Sequence, residues 1–403
     1  MTAGTSTSAG FPQDRSCPYH PPAGYRTQDG RGPMARVTLY DGSSAWLVSG
    51  LDLGRRLLGD ARLSVNRRFG SFPFPSAEFA GSGRRDAPLI GVDGSEHAAQ
   101  RRMLVAGFTH RRVASLRPRI RQIVDRHVDA MVEKGPGADL VTEFALPVTS
   151  IVICGLLGVP DADHGFLERQ SRRLLRGPAD TDRADGRTRL ENHFGELIDR
   201  KRSAPGDGLL DDLIQQHLLG GALERDELIA IATILLVAGH ETTADMISLG
   251  IFTLLRHPER MAELRERPEL LPAAVDELLR FLSVADGMLR VATQDIETPS
   301  HVIRAGEGVI FSNSGMNRDD AVFDDPDVLR WNRPTRHHGA FGYGMHQCLG
   351  QNLARAEMEI ALTALLNRFS ELRLAVPVES ISFKTGYSVQ GPLELLVAWS
   401  PGS

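Results

Sequence analysis

One cysteine lies in a sequence context that favours thiolate chemistry. Cys348 closes the stretch Phe341-Gly-Tyr-Gly-Met-His-Gln-Cys348, whose two glycines permit positive φ angles and close approach of the backbone. A tight turn of this kind can direct N–H groups at the sulfur. An apolar helical pattern begins at Leu349, so we expect Cys348 at a helix N-terminus, where the dipole lowers the pKa of a thiol. Such a thiolate can bind a haem iron, whereas a cysteine taken alone would more often be buried and inert.

A second cluster of polar side chains interrupts a long helix that the apolar pattern predicts over Asp226 to His257. The segment Ala238-Gly-His-Glu-Thr-Thr243 puts charged and hydroxyl groups after a largely apolar run, where burial is costly unless the groups have partners or a role. A threonine hydroxyl can bond back to a carbonyl, and beside Gly239 this predicts a local distortion of the helix. Taken alone, an exposed turn of a surface helix would explain the segment as well.

Cationic side chains form a third group. His97 and Arg101 are four residues apart, a spacing that places both on one face of a helix. Arg290 lies in the β-like run Met288-Leu-Arg-Val-Ala292, and His346 lies two residues before the cysteine. Each of them alone could be an ordinary surface residue, so their role depends on what the cysteine binds.

The cysteine stretch continues to Gly350, and its pattern Phe-Gly-x-Gly-x-His-x-Cys-x-Gly resembles the haem-binding loop of the cytochrome P450 superfamily. Ala238 to Thr243 resembles the family's acid–alcohol motif. Glu277-Leu-Leu-Arg280 resembles its structural ExxR motif, with Arg333 as the second arginine. The resemblance covers roughly Pro33 to Trp399. It is closest to the soluble actinomycete branch, which modifies antibiotics, other natural products and xenobiotics.

The resemblance implies a haem b cofactor, iron protoporphyrin IX, with Cys348 as its axial metal ligand. It implies that Glu241 is a catalytic acid and that Thr242 is the alcohol that orders a proton-bearing water. The remaining residues that it assigns to cofactor binding are His97, Arg101, Arg290 and His346 at the propionates, and Ala238, Gly239, Phe341 and Gly350. Gly350 would leave room for a flat macrocycle.

The activity implied by the resemblance is a haem-dependent monooxygenase. Such an enzyme inserts one atom of dioxygen into an apolar organic substrate and releases the other as water. The expected role is a tailoring hydroxylase or epoxidase of a polyketide, macrolide or peptide, as in antibiotic biosynthesis. Two alternatives stay open: an oxidative member that closes rings or couples carbons, and a peroxide-driven enzyme, which would have less use for Glu241 and Thr242. A non-catalytic haem module would need neither residue.

Electrons must come from outside the chain, because no GxGxxG motif follows a predicted strand. The resemblance implies that NAD(P)H supplies them through a ferredoxin reductase and an acidic ferredoxin. Arg102, Arg111, Arg112 and Arg336 are candidates for a basic docking patch, although an ordinary mixed surface is the alternative.

Substrate contacts are expected from the long loop Asn66 to Gly94 and from the segment Val284 to Met288. Further candidates lie on the long helix and near the C-terminus: Leu235, Ala238, Thr242 and the turn Tyr387-Ser-Val389. Arg84, Arg85 or Asp286 could meet a polar end of the substrate, although loop residues are more often solvated.

The elements that must position these residues are mainly helical. The pattern predicts a mainly α fold with minor β-structure, which as a cytochrome P450 fold would hold haem between the long central helix and the cysteine-loop helix. A single large domain is expected over residues 33–403. Residues 1–32, rich in Gly, Pro, Ser and Thr, predict a poorly ordered leader. A hairpin is expected around Asp41-Gly42, and a polar break between helices over Gly177 to Gly186.

Composition excludes several classes of function. The chain has 403 residues, 41% of them hydrophobic, and its 46 basic and 51 acidic residues leave a net charge of −5. This balance gives no bulk basicity for nucleic acid. Three scattered cysteines cannot form a disulfide framework. No signal peptide is recognisable and no window reaches the ~18 apolar residues of a membrane span. We therefore expect a cytoplasmic protein that binds neither nucleic acid nor a membrane.

Overall fold

Helices dominate the structure, a computed structural model that describes residues 9–15, 17–25, 32–83, 87–176, 179–334, 337–385 and 389–400. The α-helices of this part of the chain are α1 Leu51–Leu58, α2 Ala77–Gly83, α3 Gly94–Leu104, α4 His110–Lys134, α5 Leu146–Leu157, α6 His164–Arg176, α7 Asp180–Ser203, α8 Leu209–Leu213, α9 Arg225–Arg256, α10 Pro258–Glu266, α11 Leu271–Leu282, α12 Asn313–Met316 and α13 Gln351–Arg368. The mainly α prediction is confirmed.

Strands make up the minor part. They are β1 Ala9–Gly10, β2 Met34–Thr38, β3 Ser44–Val48, β4 Leu63–Ser64, β5 Gly137–Asp139, β6 Met288–Ala292, β7 Ile296–Glu297, β8 Val302–Ile303, β9 Gly308–Phe311, β10 Arg373–Leu374 and β11 Leu396–Ala398. They form a six-stranded sheet in the order β1-β2-β3-β9-β6-β4, a three-stranded sheet β10-β11-β5 and the pair β7-β8. The predicted hairpin is confirmed, because β2 and β3 pair antiparallel across the turn at Asp41-Gly42.

Helix α9 runs through the core and packs against α5, α7 and α13. Asp226 and Glu227 in its first turn and Arg256 in its last complement the helix dipole. By length and composition alone it could cross a membrane, but 61% of its most apolar 18-residue window is buried inside the protein. An apolar helix that other helices cover on most sides is a core helix.

Helix α13 holds the cysteine loop against this core. It packs on α4, α9 and α11 through residues such as Leu353, Ile360 and Leu365. The predicted start at Leu349 lies two residues early, because Gly350 is the N-cap and the helix begins at Gln351.

The ExxR residues form a buried ionic cluster beneath the loop. Glu277 and Arg280 on α11 are fully buried and joined by two hydrogen bonds of 2.8 Å. Arg333 donates to the same carboxylate at 3.2 Å, as expected from its position in the sequence. Arg280 also donates to the carbonyls of Asn317 and Pro326, at 2.7 and 3.0 Å. The cluster thereby fastens α11 to the chain that leads into the cysteine loop.

Two expectations about local order need revision. Within the leader expected to be poorly ordered, β1 pairs with β2, and Arg15 donates to the carbonyls of Leu282 and Ser283 at 2.7 Å. Sequence reasoning missed these contacts because they join residues far apart in the chain; the domain boundary at residue 33 stays a prediction. The polar break was wrong from residue 180 onward, where α7 begins, while residues 177 and 178 lie outside the described part.

Candidate active site

The cysteine loop is a tight turn built on two left-handed glycines. Gly342 and Gly344 have φ angles of 67° and 74°, and a Cβ on Gly344 would lie 2.5 Å from the carbonyl oxygen of Leu58. The Cys348 N–H donates to the Phe341 carbonyl at 2.9 Å and closes the turn. The glycines are therefore needed both for backbone conformation and for close packing.

Cys348 is surrounded by protein yet accessible. Its side chain is exposed, although desolvation by its surroundings raises the pKa of the thiol. The N–H groups of Gly350 and Gln351 and the charges of Arg101 and Arg355 act in the opposite direction. The expectation of a lowered pKa was wrong, because desolvation of the free thiol outweighs the helix N-terminus.

The other two cysteines differ from Cys348. Cys154 on α5 is fully buried, and desolvation raises the pKa of its thiol to about 12. It is the core thiol that the sequence predicted. Cys17 is half-buried within the leader. Reactive cysteines combine access with an electropositive setting, and only Cys348 of the three lies in a glycine turn beside Arg101.

The four predicted cations lie close together. The rings of His97 and His346 stack with centroids 4.1 Å apart, and the charges of His346, Arg101 and Arg290 all act on His97. Burial together with these charges lowers the pKa of His97 to about 4. Its Nε2 is buried and has no hydrogen-bond partner among the described residues. An orphaned buried nitrogen among cations is typical of a site for an anionic ligand.

Arg290 and Asp93 complete this cationic cluster. Arg290 is buried, desolvation lowers its pKa to about 10, and its guanidinium donates to the Leu289 carbonyl at 2.8 Å. Asp93 accepts hydrogen bonds from Ser64 and from His346, the latter at 3.2 Å. Although desolvation opposes it, these bonds lower the pKa of Asp93. Sequence reasoning did not single out Asp93, because its partners come from β4 and the cysteine loop.

One face of α9 is left partly uncovered, although the helix runs through the core. Ala238 is exposed and Thr242, one turn later, is half-buried, although most neighbouring residues are buried. The Thr242 hydroxyl donates to the Ala238 carbonyl at 2.7 Å, as predicted, but the helix continues without a break. Gly239 packs against α5, where an added Cβ would lie 3.0 Å from Ile153. Its assignment to the cofactor stays a prediction.

Glu241 lies beside Thr242 but is held in an ion pair. Its Oε1 is 3.0 Å from Nζ of Lys384, and the same ammonium contacts Asp245 one turn further along α9. All three groups are buried. Sequence reasoning missed Lys384, which comes from the C-terminal segment and carries no motif of its own.

The residues of this site fit a haem. Open space lies in front of Gly350, where an added Cβ would meet nothing within 4 Å. Phe341 is half-buried beside the accessible cysteine, with the Arg355 guanidinium 4.6 Å from its ring centroid. The cationic cluster offers partners for two carboxylates, and Cys348 offers a sulfur ligand. A flat dianionic macrocycle with an iron at its centre matches this donor set.

The predicted substrate contacts are only partly accounted for. Leu235 is almost fully buried. Asp286 is occupied by Arg15 at 3.2 Å and by Ser314, so it does not offer a free carboxylate to a substrate. Arg84, Arg85, Tyr387 and Ser388 lie outside the described residues. The expected loop over 66–94 contains the short helix α2.

Comparisons with known proteins are consistent with this geometry. A family model described as Cytochrome P450 matches residues 172–390. The pentalenic acid synthase of Streptomyces avermitilis is 59% identical over 399 residues, which cover 98% of this chain and 99% of the relative. The vitamin D3 dihydroxylase of Streptomyces griseolus is 49% identical and covers 99% of this chain and 98% of the relative.

The backbone of this chain is also similar to that of a solved structure. The mycinamicin VIII C21 methyl hydroxylase of Micromonospora griseorubida, solved with mycinamicin VIII bound, matches with a TM-score of 0.91 at 41% identity. The match covers 97% of this chain and 100% of that structure. Each relative is therefore matched over nearly its whole length.

Proposed function

Because this chain belongs to the cytochrome P450 family, we propose that it tailors a bulky, mainly apolar natural product by hydroxylation or epoxidation. The expected family and fold are confirmed, and the chain is a haem-dependent monooxygenase, like its hydroxylase relatives. The names of those relatives refer to pentalenic acid, vitamin D3 and mycinamicin VIII. Because these molecules differ, the likeness to any one relative does not fix the substrate.

The observation that carries the proposal is the accessible Cys348 beside a cationic cluster with an orphaned buried nitrogen, His97 Nε2. Cys348 would hold the iron, and His97, Arg101, Arg290 and His346 would hold the propionates. When bound, the haem supplies the oxygen-activating chemistry. The open face of α9 at Ala238 and Thr242 supports a role for this stretch beside the substrate.

Spectral titration tests this proposal most directly. Purified holoprotein is titrated with polyketides, macrolides and terpenoids, and a spin-state change reports displacement of water from the ferric iron. Candidates that bind are then turned over with NAD(P)H, ferredoxin and reductase, and in parallel with hydrogen peroxide. We expect oxygenated product only with the electron-transfer system. Efficient peroxide turnover without it would favour the peroxide-driven alternative.

Glu241 and Thr242 are proposed to bring protons to the oxygen site. Thr242→Ala removes the hydroxyl that would order a proton-bearing water, and Glu241→Gln removes the proton-accepting carboxylate. We expect product formed per NAD(P)H consumed to fall by about 10²-fold in each variant, the lower end of the usual contribution of general acid–base groups. Hydrogen peroxide should account for the missing electrons.

Thr233→Ala provides a control on the same helix, since its hydroxyl also bonds back to a carbonyl, that of Ile229 at 2.9 Å. It should retain the product yield of the wild-type protein. If Glu241→Gln and Thr242→Ala also retained that yield, the proposed proton role would be wrong.

Electrons are proposed to arrive from NAD(P)H through a ferredoxin reductase and an acidic ferredoxin in the cytoplasm. Arg102 on α3 and Arg111 on α4 are exposed, and neither has an ion-pair partner among the described residues. Between them, the Phe108 carbonyl accepts a hydrogen bond from Asn352 near the cysteine loop, at 3.2 Å. Arg112 is half-buried and bonds the Asp207 carbonyl, and Arg336 lies outside the described residues. Arg102 and Arg111 are therefore the better docking candidates.

Charge reversal at these two positions should slow reduction by ferredoxin. For Arg102→Glu with Arg111→Glu we expect kcat/KM for reduced ferredoxin to fall about tenfold or more at low salt, because steering by complementary charge is lost. The difference should shrink as salt rises. Arg373→Glu, at an exposed position on β10, is the matched control and should have no effect. Unchanged turnover of the double variant at low salt would refute this docking site.

A further inference from the structure

A buried ionic triad adjoins the residues proposed to carry protons. Lys384 Nζ lies 3.0 Å from Oε1 of Glu241 and also contacts the carboxylate of Asp245. The side chains of Lys384, Glu241 and Asp245 are 2%, 9% and 1% exposed, so bulk water contributes little to their solvation. Buried charges of this kind persist only when they compensate one another.

The two carboxylates would repel each other without the lysine. Glu241 and Asp245 are four residues apart on α9, a spacing that places them on one face of the helix. Because one ammonium faces two carboxylates, the fully ionised triad carries a net charge of −1. Any weakening of the ammonium contact therefore favours proton uptake by one of the carboxylates.

Backbone contacts hold the segment that carries the lysine. Its N–H donates to the Gly391 carbonyl at 2.9 Å, and the adjoining Phe383 bridges Pro392. The segment also packs tightly on α9, since a Cβ on Gly391 would lie 2.1 Å from Oδ1 of Asp245. These contacts hold the backbone of Lys384 against α9, with its ammonium in contact with Glu241 and Asp245.

We propose that Lys384 is a positioning residue for Glu241 and that the Asp245 carboxylate offsets part of the positive charge of Lys384. The ammonium keeps the Glu241 carboxylate ionised and in place beside Thr242. Asp245 offsets part of the positive charge of the lysine, so that Glu241 can still accept a proton from water and pass it on. The inference rests on the proposed proton role of Glu241.

The two partners should shift the proton affinity of Glu241 in opposite directions. In Lys384→Met the two carboxylates lose the ammonium that both of them contact, so one should be protonated. Infrared spectroscopy of the resting protein should then show a carboxylic acid band in addition to those of the wild-type protein. The band should remain in Lys384→Met with Asp245→Asn and in Lys384→Met with Glu241→Gln, because either buried carboxyl left without the ammonium takes up a proton. It should vanish when Lys384→Met is combined with both Glu241→Gln and Asp245→Asn. Product per NAD(P)H should fall about tenfold in Lys384→Met because the acid is no longer positioned.

Asp245→Asn should have the opposite electrostatic effect. The full charge of Lys384 then acts on Glu241, so no additional carboxylic acid band is expected. The solvent deuterium isotope effect on product formation should increase about twofold or more because proton transfer becomes slower. Lys384→Arg keeps the charge and should restore the product yield to within about twofold of wild type. A role in packing alone would not give these opposite responses.

The outcomes separate this inference from the proposed function. Wild-type yield in Glu241→Gln would contradict the proton role itself. A reduced yield in Glu241→Gln, with wild-type yield and no additional acid band in Lys384→Met, would overturn only the role of Lys384. If Lys384→Met did not fold, an unchanged isotope effect in Asp245→Asn would overturn it, and an increased one would support it.

Discussion

Cys348→Ser is expected to abolish oxygenation driven by NAD(P)H and ferredoxin, a loss of roughly a thousandfold or more, as when a group essential to the chemical step is removed. The pKa of a serine hydroxyl is far higher than that of a thiol, so the hydroxyl stays protonated and donates much less electron density to an iron than a thiolate does. The thiolate contribution to O–O cleavage is therefore lost. The measurement is product formation together with the absorption band of the reduced carbon monoxide complex, which should lose the red shift caused by thiolate ligation.

Cys17→Ser is the matched control, because Cys17 is half-buried and lies outside the residues gathered at the site. It should keep both the red-shifted band and the turnover. The fold should survive in Cys348→Ser, since the backbone contacts of the loop, such as the Cys348 N–H to Phe341 carbonyl bond, do not use the sulfur. A Cys348→Ser protein that retained the red-shifted band would show that another residue is the axial ligand.

Features that depend on nearby residues were predictable from the sequence. The glycine turn before Cys348, the hydroxyl bond from Thr242 to the carbonyl one turn earlier, and the β2–β3 hairpin all follow from residue types within a few positions of one another. The grouping of His97, Arg101, Arg290 and His346 was also expected, although only because the motifs resemble a known family. Spacing alone could not have brought the four together.

Features that depend on tertiary contact were not predictable. Lys384 meets Glu241 across 143 positions of sequence, and His346 meets Asp93 across 253. Neither partner carries a local pattern that announces the contact. The pKa of Cys348 was not predictable for the same reason. The helix N-terminus, which lowers this pKa, can be recognised in the sequence, but the desolvation that outweighs it comes from residues that pack around the thiol in the fold. The electrostatics of the site therefore had to come from the structure.

The second large effect is expected on stability rather than on chemistry. Glu277→Gln removes the one negative charge in a fully buried contact with Arg280, at 2.8 Å, and with Arg333, at 3.2 Å. Two guanidinium groups then remain in the interior without a carboxylate. Breaking such a pair from one side costs about 3–5 kcal/mol. We expect the free energy of unfolding, measured by denaturant titration with circular dichroism, to fall by that amount.

Glu269→Gln supplies the comparison, because Glu269 also pairs with an arginine, Arg267 at 3.4 Å, but is 67% exposed. Its loss should change the free energy of unfolding by less than about 1 kcal/mol. The contrast tests whether the ExxR carboxylate acts through burial. Since Glu277 also accepts the N–H of Arg330 at 3.1 Å, its loss should loosen the chain leading into the cysteine loop and speed haem release. Equal, small effects of the two substitutions would mean that the buried cluster tolerates an uncompensated charge. The packing of α13 alone would then position the cysteine loop.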